Sequence, residues 1–122
     1  MNIVLWIIQI LLVLVFLSHG RLMLLPPASL QSGMAYIMAI PTGFRRFIGI
    51  AEILASIGLV LPALTGILPW LTPLAAAGLV IPMVSAVIFH ILRKEYPNIA
   101  FNLILLALAV FVTFGRFVIV PL

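Results

Sequence analysis

The sequence contains no cysteine, so a whole group of chemistries is missing from it. None of its 122 residues is Cys. This absence excludes disulfide bonds, thiol–disulfide relays, Cys-ligated iron–sulfur clusters and Cys-rich zinc sites within these residues. Any redox role would therefore need a bound cofactor or a partner protein.

Charge is also scarce, and negative charge most of all. Only 7% of the residues are charged, against about 25% in ordinary soluble domains. Six are Lys or Arg and two are acidic, which gives a pI of about 10.9. So few basic residues cannot form the dense basic face that nucleic-acid binding needs. We therefore expect no nucleic-acid partner, and we expect lipid head groups to be the acidic neighbours.

Apolar residues make up 66% of the chain, which is more than a soluble fold of this size can bury. A bilayer core about 30 Å thick is crossed by about 20 apolar residues in a helix. Four stretches approach this length. The sequence predicts an all-α fold, an integral membrane four-transmembrane-helix bundle forming a single domain over residues 1–122, with helices at about 3–25, 45–62, 70–92 and 98–119.

Proline positions set the predicted helix ends. Pro26 and Pro62 are expected to close the first and second helices, because proline lacks the backbone N–H that continues a helix. Pro82 falls inside the third helix, where it frees the carbonyl of Gly78 and predicts a kink. We interpret Pro82 as architectural, with a hinge as the alternative.

The basic residues predict the orientation of the bundle in the cell membrane. The first and third connections hold most of them, while the opposite side holds only Arg116. Because Lys and Arg concentrate on the cytoplasmic side, both termini of this multi-pass protein are predicted to lie outside the cytoplasm. Arg116, at the outer end, is expected to extend to the lipid head groups. The basic residues of the two connections are Arg21, Arg45, Arg46, Arg93 and Lys94.

Glu52 is the most informative polar residue, because a charged side chain at the centre of a membrane helix costs roughly 2.5–3.5 kcal/mol on insertion scales. Gly49 and Ser56 share its helix face and allow another helix to approach. One reading makes Glu52 a structural residue, protonated or paired with a basic side chain. The other makes it a proton carrier or a ligand-binding carboxylate. The sequence leaves both open.

Several polar residues are predicted to meet Glu52 in a cytoplasmic-side pocket. Arg21 is the expected partner of the carboxylate, and His19 and His90 are expected to contribute titrating protons. Each His has an alternative role as an interfacial residue satisfied by water. Haem is not predicted, because the two His lie at one membrane face without a supporting motif. The candidates for ligand binding or proton carriage are Glu52, Arg21, His19, His90, Asn102 and Ser56.

The fourth helix carries a polar stripe at helical spacing. This stripe is expected to face the bundle interior. Its residues are Asn102, Leu106, Ala109, Thr113 and Arg116. The secondary, structural candidates are Arg116, Gly49 and Pro82. No catalytic residue and no metal site is predicted, because the sequence contains no metal-ligand cluster, nucleophile elbow or phosphate loop.

Four segments together resemble the DoxX-like family of small four-helix membrane proteins. They are 44–52 (FRRFIGIAE), 58–62 (GLVLP), the run from Asn102 to 115–117 (GRF), and 20–22 (GRL), which is similar to a Gly-x-Lys-Leu pattern with Arg as the basic residue. The resemblance implies that Arg21, Glu52, Asn102 and Arg116 match the family's recurrent polar positions. That family takes its name from a small subunit of a thiosulfate:quinone oxidoreductase, and other members resemble oxidoreductase components or chaperones of membrane proteins.

Three functions follow from these features. The leading hypothesis is an accessory membrane subunit without free-standing catalytic activity, in which the pocket around Glu52 binds a small molecule, a lipid or a partner. A quinone-linked redox complex is one option for its assembly, with quinone as a possible cofactor. The alternatives are a small proton-coupled transporter, and a membrane chaperone or assembly factor that grips a client through small-residue faces on the second and third helices, Gly49 and Ser56 among them. Expected partners are the lipid bilayer, membrane or redox proteins, and further copies of the chain.

Overall fold

The computed structural model describes residues 1–26 and 32–121, and within these ranges the chain is helical with no strand. Four long helices account for most of it, as the sequence predicted. They are α1 (Asn2–Leu24), α2 (Thr42–Thr65), α3 (Leu71–Leu92) and α4 (Tyr96–Phe114). A 3₁₀ helix (Ser32–Ala39) lies between α1 and α2, and a π-helical turn (Gly115–Ile119) extends α4.

All four helices are long and apolar enough to cross a membrane. With α4 counted through its π-helical turn, they contain 22 to 24 residues, or about 33–36 Å at about 1.5 Å per residue. This exceeds the roughly 30 Å hydrocarbon core of a bilayer. Large apolar side chains such as Ile3, Ile81 and Leu92 are at least 73% exposed on the bundle surface. That surface suits lipid rather than water.

The second helix does not end at Pro62, and this corrects the prediction. It continues to Thr65 and closes at Gly66, whose φ of 72° is the left-handed conformation that favours glycine. Pro62 has no N–H to offer the carbonyl of Gly58, one turn earlier. The Thr72 hydroxyl of α3 donates to that carbonyl instead, at 3.0 Å. An interhelical hydrogen bond thus replaces the missing one, and the helix passes through the proline.

Other boundaries lie within a few residues of their predicted positions. The second helix begins at Thr42 rather than 45, and the fourth begins at Tyr96 rather than 98, with Pro97 in its first turn. Proline suits this position because the first N–H groups of a helix have no intrahelical partner. Pro82 lies inside α3 as predicted.

Sequential helices pack against each other, and α4 returns to contact α1, so the bundle closes in an up-and-down arrangement. Its central core takes residues from all four helices. We call the end that carries the 3₁₀ helix and the α3–α4 connection the loop end, and the end that carries both chain termini the terminal end. The buried core residues are Leu12, Phe16, Leu59, Ala76, Leu79, Met83, Leu105, Ala109 and Val112.

Candidate functional site

Two glycines allow α1 and α2 to cross in close contact near the loop end. A Cβ atom on Gly20 would lie 2.9 Å from the carbonyl oxygen of Gly49, and one on Gly49 would lie 2.8 Å from the carbonyl oxygen of Gly20. Any side chain at either position would push the helices apart. The crossing therefore brings the neighbour of Gly20, His19, to Glu52, which lies one turn beyond Gly49.

His19 bridges two other titratable side chains through both of its ring nitrogens. Its Nδ1 lies 2.7 Å from Oε2 of Glu52, and its Nε2 lies 2.6 Å from the hydroxyl oxygen of Tyr36. Glu52 is 2% exposed, whereas the His19 side chain is 24% exposed. When Glu52 is ionised and His19 is neutral, Nδ1–H donates to the carboxylate and the Tyr36 hydroxyl donates to Nε2. Glu52, His19 and Tyr36 form a continuous hydrogen-bonded chain.

Tyr36 connects this chain to a second group on α3 and the α3–α4 connection. Its ring stacks on His19 and meets His90 edge to face, with centroids 4.5 Å apart. His90 Nδ1 lies 2.9 Å from Oε1 of Glu95, and Arg93 Nε donates to the same oxygen at 2.9 Å. Both acidic residues of the sequence thus belong to one assembly. We call it the loop-end cluster: Glu52, His19, Tyr36, His90, Glu95 and Arg93.

The surroundings shift the pKa of Tyr36 and Glu95, two cluster members that lie outside the membrane spans. Burial raises the pKa of the Tyr36 hydroxyl, and the negative charges of Glu52 and Glu95 raise it further. Burial also acts to raise the pKa of the Glu95 carboxyl, but hydrogen bonds from His90 and Arg93, with their charges, outweigh it and hold that pKa below its ordinary value. Tyr36 therefore keeps its proton and Glu95 is ionised at neutral pH.

Arg21 is not the partner of Glu52, contrary to the prediction. Its side chain is exposed, and within the described residues the carboxylate pairs with His19. The reason is the direction in which α1 runs. Because α1 runs toward the loop end, residues nearer the bundle centre have lower numbers. Glu52 lies on the central side of the Gly20–Gly49 crossing, so it meets His19, which precedes Gly20, and not Arg21, which follows it.

Two other predicted site residues are buried but bond within their own helices. The Ser56 hydroxyl donates to the backbone carbonyl of Glu52 at 2.9 Å, not to its carboxylate. The amide of Asn102 donates to the backbone carbonyl of Asn98 at 2.8 Å. The predicted stripe on α4 does face the interior, with Asn102, Ala109 and Arg116 buried.

Sequence reasoning missed three residues at this end. Tyr36 lies in the connection between the first two helices and Glu95 in the connection after the third, where no helical spacing links them to Glu52, although Glu95 is one of only two acids in the sequence. The sequence identifies Arg45 only as one of the basic residues that predict the orientation. Arg45 is 6% exposed and donates to the carbonyl of Met23, so it caps the last turn of α1 with a positive charge.

At the terminal end, Arg116 does not extend to the head groups, and this corrects a third prediction. It is 1% exposed, and its Nε donates to Oε1 of Gln9 at 2.7 Å. Gln9 in turn donates to the carbonyl of Leu59 at 2.6 Å. The preceding residue, Gly115, packs on Leu5 of α1, where a Cβ would lie 2.6 Å from a methyl carbon of that side chain. Arg116 thus points into the bundle toward α1.

A model of the DoxX-like family matches residues 7–112 of the sequence. The chain belongs to the DoxX-like family. Neither a curated protein nor a solved structure matches it significantly. The part of this DoxX-like protein that matches contains the whole loop-end cluster and ends just before Arg116. With its four membrane-crossing helices, it is a multi-pass membrane protein.

Two members of the loop-end cluster, Glu52 and His90, are fully inside the bundle of this DoxX-like protein, each with 2% of its surface exposed. Two apolar grooves of about 380 and 410 Å³ lie on the outer surface, between α3 and α4 and between α2 and α3, and neither is lined by a cluster residue. Within residues 1–26 and 32–121, no three His or acidic residues are placed to hold a metal ion. The hydrogen-bond donors beside Glu52 are used within the cluster. With His19 neutral, its Nδ1–H donates to the carboxylate, and the Tyr36 hydroxyl donates to Nε2.

Proposed function

We propose that this DoxX-like protein is an accessory membrane subunit of a larger complex. Its loop-end cluster takes up a proton and releases it again while the partner complex works. The observation that supports this most strongly is His19, hydrogen-bonded at one ring nitrogen to a buried carboxylate and at the other to a hydroxyl. An imidazole can accept a proton at one nitrogen while releasing one from the other. The basic residues of this end favour a cytoplasmic location for it.

The hydrogen-bonded chain of Glu52, His19 and Tyr36 has two states in which both hydrogen bonds between these residues are kept. In the first, Glu52 is ionised, His19 carries its proton on Nδ1, and Tyr36 donates to Nε2. In the second, Glu52 is protonated and donates to Nδ1, and Nε2–H donates to the Tyr36 oxygen. The states differ by one proton on Glu52 and by the His19 tautomer. Exchange between them therefore keeps both hydrogen bonds between Glu52, His19 and Tyr36, while the Tyr36 O–H, which donates to Nε2 in the first state, turns to another acceptor in the second.

Proton entry can proceed without a charged tyrosine. The Tyr36 oxygen accepts a proton from the loop end as its own hydroxyl proton passes to Nε2 of His19, and the Nδ1 proton passes to Glu52. One proton enters and one carboxylate is neutralised. Tyr36 remains a neutral phenol throughout, as the raised pKa of its hydroxyl requires.

The partner must supply the reaction that uses the proton, because no group in the cluster is placed as a nucleophile or a metal ligand. Quinol oxidation releases protons, and a quinone-linked membrane complex is the partner class that we propose.

The alternatives receive less support. Transport would need a path for substrate to Glu52, which is 2% exposed. The α2 part of a chaperone surface, at Gly49 and Ser56, is not available, because both are buried inside the bundle.

Infrared difference spectroscopy between two pH values tests the proposal on the protein in lipid nanodiscs. The sequence has only two side-chain carboxyls, so Glu52→Gln and Glu95→Gln together assign their bands. We expect a protonated-carboxyl band that appears on acidification, disappears in Glu52→Gln and persists in Glu95→Gln. A spectrum without any Glu52 band between pH 4 and 9 would show that Glu52 does not exchange a proton. Substrate turnover by the purified protein alone would contradict the accessory role.

A further inference from the structure

The terminal end of the bundle holds a buried positive charge that has no acidic side chain as a partner within residues 1–26 and 32–121. Arg116 is 1% exposed, while both acidic residues of the sequence, Glu52 and Glu95, belong to the loop-end cluster. The Nη2 atom of Arg116 is buried and has no hydrogen-bond partner among the described residues. An unpaired guanidinium N–H away from water is costly, and unpaired positive charge within a membrane span is more so.

The acceptors that Arg116 does have are all neutral. Its Nε donates to Gln9, and its Nη1 donates to Oδ1 of Asn2 at 2.7 Å and to the carbonyl of Val120 at 3.4 Å. The guanidinium also lies over the Trp6 ring, 5.5 Å from its centroid. These contacts orient the guanidinium group, and none of the partners that the described part of the chain supplies carries a negative charge.

We propose that Arg116 is the anchor of an oxyanion site that takes one phosphate group at the terminal end. Gln9 holds the Nε side of the guanidinium inside the bundle. The opposite edge, Nη1 and Nη2, presents the two parallel donors that fit a phosphate. Asn2, an exposed residue in the first turn of α1, covers this edge. Its short side chain can rotate outward, so phosphate oxygens replace Oδ1 at Nη1 and satisfy Nη2.

Two sources carry this chemistry, an anionic lipid and free phosphate. The surroundings favour the lipid. Phe117, Val118 and Ile119, which follow Arg116, are between 45% and 61% exposed, and such apolar residues suit an acyl environment. Phe117 and Val118 also line the groove of about 380 Å³ between α3 and α4. A lipid with its phosphate on Arg116 would have apolar surface beside it for an acyl chain.

Native mass spectrometry of the purified protein with added phosphatidylglycerol or phosphatidylcholine tests the proposal. We expect wild type to retain one phosphatidylglycerol at least about tenfold more strongly than phosphatidylcholine, the factor expected for one charge-assisted interaction. Arg116→Gln should remove the preference. Arg46→Gln, which removes the same charge from an exposed position at the loop end, should keep it. Gln9→Glu should also remove it, because an internal carboxylate then pairs with Arg116.

Further measurements distinguish an anionic lipid from free phosphate and allow for misfolded variants. Competition between inorganic phosphate and the lipid supports a phosphate site. If inorganic phosphate binds to the protein and stabilises it as well as the lipid does, the lipid is not the ligand. If Arg116→Gln and Gln9→Glu fail to fold, the Tm of the wild-type protein tests the proposal. Phosphatidylglycerol must then raise this Tm above its value in phosphatidylcholine. Equal lipid retention in wild type, or a preference kept in both folded variants, would overturn the proposal.

Discussion

Gly20 and Gly49 face each other where α1 crosses α2, each leaving room for the carbonyl oxygen of the other. A Cβ on either would come within 2.9 Å of that oxygen. The contact is next to His19 in α1 and one turn before Glu52 in α2. The separation of these two helices therefore determines the distance between His19 and Glu52, and with it their hydrogen bond. Small residues at this membrane helix crossing thus control the polar site beside them.

Gly49→Ala should destabilise the bundle by about 1–3 kcal/mol, the usual cost of overpacking a close contact. The new methyl group would meet the carbonyl oxygen of Gly20, which is backbone and cannot rotate away. Unfolding of the purified protein in mixed detergent micelles measures the change. Gly78→Ala is the matched control, because Gly78 lies inside α3 with open space around it. It should be neutral or stabilising, since alanine favours the helix. Equal effects of the two substitutions would contradict the tight crossing.

Tyr36→Phe should lower stability by about 1–3 kcal/mol, because it leaves a His19 nitrogen without its partner in a largely buried site. The ring and its contacts with His19 and His90 are kept. Tyr96→Phe makes the same chemical change at an exposed position and should have almost no effect. The same unfolding assay compares them. A Tyr36→Phe protein as stable as Tyr96→Phe would show that the hydroxyl does not bond His19.

Thr72→Val should destabilise the α2–α3 contact by about 1–3 kcal/mol, because the Gly58 carbonyl loses its donor. The cause is Pro62, which cannot supply the N–H. In the Pro62→Ala background, the restored N–H can bond Gly58, so Thr72→Val should cost clearly less there. A double-mutant cycle measures this coupling. Additive effects of the two substitutions would mean that Thr72 does not replace the proline's missing hydrogen bond.

Glu95 should make stability depend on pH in the acid range. Its folded pKa lies below the ordinary value of 4.5, so ionised Glu95 stabilises the fold above that pH. The contribution is lost as the pH falls from about 4.5 through the lowered folded value. The stability difference between wild type and Glu95→Gln should therefore shrink on acidification below pH 4.5. A constant difference between pH 6 and 3 would contradict the pairing with His90 and Arg93.

The sequence predicts the helices of this protein well and their polar contacts less well, for a physical reason. Apolar runs of about 20 residues determine membrane helices almost by themselves. Which of His19 or Arg21 meets Glu52 depends on where α1 crosses α2. That point is set by a pair of glycines far apart in sequence, and the Gly20–Gly49 match is visible only once the helices are packed.

Arg116 and Pro62 give the same lesson. An arginine at a helix end commonly extends to the head groups, and a proline commonly ends a helix. Each general rule is overridden here by a residue on another helix: Gln9 holds Arg116 inside, and Thr72 satisfies the carbonyl that Pro62 leaves free. Such tertiary partners are not encoded in local spacing.

The most direct test of the proton chain is the rate at which Glu52 is protonated after a rapid pH jump, followed through its infrared carboxyl band in nanodiscs. We expect Tyr36→Phe to slow this protonation at least about tenfold, because it removes a positioned proton donor. Tyr96→Phe should leave the rate unchanged. If Tyr36→Phe and wild type protonate Glu52 at the same rate, the proton does not pass through Tyr36 and His19, and the proposed relay is wrong.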